Sequence, residues 1–181
     1  KRDILVDRVE NAKESQEDAQ EQFSSALEAF SAAVAFDGGE LEEVYDRLNG
    51  QYEDSVAASE EVSARIDKVE SVAEALFDEW SEELDKYENA SLKRDSAAKL
   101  RETQRRYTSL MKAMRKAESK MPPVLNALQD NVLYLKHNLN ASAIGALQGE
   151  LSTIENNVAQ LIGQMNSAIA ESDAFIASMK N

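Results

Sequence analysis

Residues 144–179 read "IGALQGELSTIENNVAQLIGQMNSAIAESDAFIASM". Ile144, Leu147, Leu151, Ile154, Val158, Leu161, Met165, Ala168, Ser172, Phe175 and Met179 follow one another at steps of three and four without a lapse. That spacing gathers them into one stripe on a helix, where a strand would need strict alternation. A repeat near 3.5 residues, held this long, predicts packing against other helices with a left-handed supercoil.

Upstream segments keep the same rhythm. Leu100, Thr103, Tyr107, Leu110, Met114, Ala117, Met121, Val124, Leu128, Val132, Leu135 and Leu139 form one stripe. Leu41, Tyr45, Leu48, Tyr52, Val56, Val62, Ile66, Val69, Ala73, Leu76, Trp80, Leu84 and Tyr87 form another, and Leu5, Val9, Ala12, Ala19, Phe23, Ala26, Phe30 and Ala33 the first. Between them lie "FDGGE" (36–40), "YENAS" (87–91) and "HNLNAS" (137–142), with glycines that allow positive φ and residues suited to capping, Asn89 or Ser91 in the second case. Asn49-Gly50 lies inside a continuing seam and predicts at most a bend. The stripe also keeps its phase across Pro122-Pro123, which predicts a kink there rather than a break.

Short links between long seams make neighbouring helices antiparallel. The sequence therefore predicts one all-α domain over 1–181, an elongated antiparallel four-segment bundle or coiled coil. Its helices are expected at about 2–36, 40–88, 91–138 (kinked at the prolines) and 141–180. The middle two are longer than their neighbours, so residues of about 75–105 should project as a two-helix tip, with both chain ends near its base.

Composition agrees: 30% of residues are charged and 43% hydrophobic, with two Pro and six Gly in 181 residues. There is no Cys, which removes disulfides, thiolate metal sites and cysteine nucleophiles together. No apolar run approaches the length of a membrane span. The chain starts at Lys1 rather than Met, as expected of a trimmed or mature form.

The formal charge is −14, unevenly placed. Residues 1–90 hold 8 basic and 26 acidic side chains, whereas 91–120 hold 10 basic and 3 acidic ones. Such an acidic protein repels nucleic acid, and none is expected as a partner. In a hairpin turning near residue 90, Glu88 falls level with Lys93, Glu82 with Lys99, and Asp78 and Glu79 with Arg101. Glu74 falls level with Arg105 and Arg106, Glu70 with Lys112, and Asp67 with Arg115. The basic stretch is thus expected to pair mostly with the acidic arm beside it, fixing register between the helices. Arg94, Lys116 and Lys120 are left without a counterpart.

Reactive chemistry is sparse. His137 is the one histidine; Leu133 and Tyr134 stand where a bundle metal site would place Glu, so dipole contact at a helix end is its expected role. The carboxylates follow outward positions, and no pair is singled out for acid–base work. "FDGGE" lacks the length and the Lys-Ser/Thr ending of a phosphate loop. Gly145 and Gly149 would ordinarily mark a close helix approach. No cofactor, metal or enzymatic activity is expected. What remains is surface: Phe77, Trp80, Tyr87 and Arg94 as a candidate interaction tip, and Lys116 and Lys120 as candidate contacts to an anionic surface. Seam residues exposed on the tip also offer a way to pair two copies as a homodimer.

Four stretches, "KRDILVDRV" (1–9), "FDGGELEEVYDRLNGQYEDS" (36–55), "ALFDEW" (75–80) and "LKHNLNA" (135–141), resemble a family of uncharacterised proteobacterial proteins known only as a domain of unknown function. The similarity runs over essentially the whole chain. Members of that family look like lipoproteins, with a signal and a lipidated Cys upstream of the KRDILVDRV-like start. The resemblance implies a periplasmic protein of the Gram-negative envelope, lipid-anchored through an upstream segment absent here. It carries no activity, cofactor or site residue. Two functions are consistent with these features: a non-enzymatic scaffold or adaptor binding another envelope protein, and a helical protein that associates peripherally with anionic lipid.

Overall fold

A computed structural model describes residues 1–35 and 38–180. The described residues form five helices: α1 (Arg2–Val34), α2 (Leu41–Leu84), α3 (Ala90–Ser119), α4 (Met121–His137) and α5 (Ala141–Lys180). No strand occurs among the described residues. Neighbours run antiparallel, and α3 with α4 serves as one corner of a four-cornered bundle. α1 packs against α2 and α5, and both of those pack against α3 and α4. Backbones at opposite corners do not approach one another.

The heptad seams build the core. Leu5, Val9, Ala12, Ala19, Phe23, Ala26, Phe30 and Ala33 of α1 are all buried, as are Ile144, Leu147, Ile154, Val158, Leu161, Met165, Ala168 and Phe175 of α5. α1 alternates Phe with Ala along its seam, so bulky rings sit beside places where backbones come close. The stripe of α2 departs from expectation at Ser55, which takes the seam place seven residues after Leu48 and is buried while Val56 is half-buried. α2 runs unbroken through Asn49-Gly50.

Each break has a local cause. Gly39 has φ 113°, a left-handed conformation that a side chain resists, and it feeds the chain into α2. Asn89 caps α3, its side-chain oxygen accepting from the Leu92 amide at 3.0 Å. The third expected helix divides at Lys120, two residues ahead of the prolines. Pro122 and Pro123 have no N–H to give the carbonyls of Glu118 and Ser119 and crowd them instead, so α3 stops and α4 starts with its prolines in the first turn. Lys120 itself keeps helical dihedrals (φ −89°, ψ −9°), so α4 continues the general course of α3.

The projecting tip is shorter than expected. From Ser81 to Asp95 no residue is buried, and only Leu84 is half-buried. The backbone register between α1 and α2 is set by Arg65 Nη1 donating to the Asn11 carbonyl (2.9 Å) and by Gln22 against Gln51 (2.9 Å). Beyond that register, Lys1 and Arg2 extend their long side chains as far as Glu79 and Trp80. They cover a stretch expected to stand free.

Candidate interaction surface

α3 carries the cations that the sequence singled out. One of them bridges as expected: Arg115 Nη2 donates to Asp67 Oδ1 at 3.0 Å, and also to Glu70 Oε2 at 3.2 Å, while Nη1 reaches Glu118 at 3.1 Å. Burial works against this charge, yet the three carboxylates together hold the guanidinium above the ordinary arginine range.

The other expected cross-helix pairs do not form. Glu102 accepts from Arg105 (2.6 Å) and Arg106 (2.9 Å) within α3, and these hydrogen bonds pull its carboxyl down to about 2. Lys99 pairs with Asp95 at 3.0 Å, again within α3, and Glu79 with Lys1. Lys93, Arg94, Arg101, Lys112, Lys116 and Lys120 have no carboxylate within 4 Å among the described residues.

Helix geometry explains the outcome. Being level with an acid fixes position along the axis but not around it. At about 100° per residue, Arg94, Arg101, Arg105, Lys112 and Lys116 fall within an arc of roughly 60°. Leu100, Thr103, Leu110, Met114 and Ala117 are buried on the opposite side. The stripe therefore faces outward, away from α2, and all five cations are exposed. Lys120 follows at its edge, half-buried. Arg115, by contrast, lies on the flank that meets α2.

The candidate tip residues divide between two settings. Phe77 is half-buried and meets Tyr107 of α3 edge-on, ring centroids 5.4 Å apart at 72°. Trp80 is half-buried too: its indole N–H donates to Ser96 Oγ at 2.9 Å, and the Arg2 guanidinium lies 4.6 Å from its ring centre. Tyr87 and Arg94 stand exposed on the hairpin, with Leu92 beside them, 58% exposed.

A family described as protein of unknown function (DUF2959) matches residues 1–179. The chain belongs to this DUF2959 family. No curated protein matches it. In this DUF2959 protein two surface features went unseen in the sequence. Leu133, Tyr134 and Leu139 are each exposed near the far end of the bundle. Leu139, expected in the seam, lies past the end of α4 and so loses its helical place. The fan of Arg105 and Arg106 on Glu102 was signalled by spacing, since acids three and four residues before a base pair within a helix. A Cβ added at Gly145 or Gly149 would meet nothing within 4 Å, so no close helix approach explains these glycines. Among the described residues of the DUF2959 chain, no three His, Asp or Glu side chains are placed to share a metal ion, and no helix is long and apolar enough to cross a membrane.

Proposed function

We propose that this protein is a non-enzymatic helical scaffold or adaptor of the bacterial envelope, which holds an acidic protein partner along the outer face of α3. One observation carries the proposal. On a chain of net charge −14, five exposed cations share one face of α3 over about 33 Å. Four of the five, all but Arg105, have no carboxylate within 4 Å among the described residues. Charges that hold a fold together meet their counterparts inside it; these are turned outward. A rigid helix with regularly spaced cations suits recognition of an acidic helix or strand and gives fast, salt-sensitive association. The envelope setting is supported by the resemblance to lipoprotein-like relatives.

The same stripe also suits a second reading, peripheral attachment to anionic lipid. A photo-crosslinking residue at Ser109, an exposed position beside Arg105 and Lys112, tests the proposal in cells. A protein adduct of constant mass, lost when Arg101, Lys112 and Lys116 are changed to Glu, is the expected result. Absence of any protein adduct, together with salt-sensitive co-sedimentation on anionic liposomes, would replace the scaffold reading with the lipid one. Absence of both would remove α3 as the working surface.

A further inference from the structure

A cleft of about 330 Å³ opens where the hairpin leaves the bundle, lined by Trp80, Tyr87, Glu79 and Glu83 of α2 and its end and by Ser96 of α3. Lys1 and Arg2, at the start of α1, form another of its walls. The Arg2 guanidinium stacks over the Trp80 ring at 4.6 Å, and the Lys1 ammonium meets the Glu79 carboxylate, whose pKa it holds below the usual range. The indole N–H is tied to Ser96 Oγ, which fixes the ring with its face toward the cation.

An aromatic face beside two carboxylates is chemistry suited to a guanidinium or ammonium group, which gains from the ring quadrupole and from charge at once. Its surroundings strengthen the field, because Asp78, Glu82, Asp85 and Glu88 are all exposed nearby on the same stretch of chain. Both cations that now meet these groups are solvent-exposed, so their contacts are weak and open to exchange.

We propose that this cleft is a receptor for an exposed arginine side chain of a partner protein, and that Arg2 is its resident competitor. The partner's guanidinium takes the place of Arg2 over Trp80, and Glu79 and Glu83 supply the counter-charge. The Trp80 site lies on α2, apart from the α3 stripe, and does not depend on what α3 binds.

The chain has a single tryptophan, so Trp80 fluorescence reports on this site alone. The probe is a blocked tripeptide, acetyl-Gly-Arg-Gly-amide, with its citrulline analogue as the uncharged control, both at low salt. Saturable change is expected with the arginine peptide and none with citrulline. Arg2→Ala should tighten binding about fivefold or more, because a competitor that occupies the site reduces apparent affinity in proportion. Glu79→Gln with Glu83→Gln should weaken it. Calorimetric titration of Arg2→Ala, with circular dichroism to confirm the helices, guards against a silent fluorescence response. No saturable binding by either method in folded Arg2→Ala protein would overturn the proposal. So would an equal response to citrulline, or equal affinity in wild type and Arg2→Ala.

Discussion

Gln16 fills a seam position of α1, midway in the alternation of Val9, Ala12, Ala19 and Phe23, and it is fully enclosed. Neither its amide nitrogen nor its carbonyl oxygen has a hydrogen-bond partner. Buried hydroxyls solve the same problem locally: Ser15 donates to Ala12, Ser55 to Gln51, Thr103 to Lys99 and Ser172 to Ala168, each a carbonyl of its own helix. Gln16 reaches none. An unpaired polar group in a core costs about 1–3 kcal/mol. Gln16→Met keeps the length and removes both orphaned atoms, so the urea midpoint should rise by an amount equivalent to about 1–2 kcal/mol. A lower midpoint would show that Gln16 is satisfied in solution. A second residue answers to pH. Burial, with Glu70 and Glu74 nearby, pushes the Tyr107 hydroxyl up to about 12, while an unfolded tyrosine titrates near 10. The folded chain therefore holds the proton more tightly. The stability this provides is complete below about pH 10 and is lost as pH climbs from there toward 12. Urea midpoints measured across that window should fall more steeply for wild type than for Tyr107→Phe.

Helices were the most legible part of this molecule, because a repeat of three and four can be counted without knowing any partner. The seam places of Leu48, Ile66, Leu128 and Leu161 are all buried as their spacing implies. What a linear pattern leaves out is the angle around the axis and the chemistry of odd members. Gln16 and Ser55 occupy seam places yet look polar; Lys112 is level with Glu70 yet points away from it. The break at Lys120 arises from amides that the prolines lack, felt one turn upstream of the prolines themselves. Glycines make a prediction at this scale. Gly50, Gly149 and Gly163 lie inside helices with open space where a Cβ would go. Each change to Ala should raise stability by about 0.5–1 kcal/mol, measured by thermal or urea unfolding. Gly39→Ala should do the reverse by a similar amount, since φ is 113° there.

At the scale of the whole molecule, charge follows the corners of the bundle. α1 and α2 hold the acids, and α3, which lies diagonally across from α1, holds the cations. Because these three cations have no ion-pair partner among the described residues, Arg101→Glu, Lys112→Glu and Lys116→Glu combined should leave the thermal midpoint almost where it was, each change within about 0.5 kcal/mol. Arg115→Glu alone should lower it by more than all three, since it sets a fourth carboxylate among Asp67, Glu70 and Glu118. Equal effects would mean the stripe is bound into the fold after all. The placement of charge on opposite edges has one more consequence. Where α3 spans it, the rod is polarised across its width, and there it behaves as a compass needle that rolls about its own axis. Within a Debye length or so of any charged body it experiences a torque before it experiences contact. It thus meets an anionic neighbour with α3 leading and a cationic one with α1 and α2 leading, and the choice of face is made during approach.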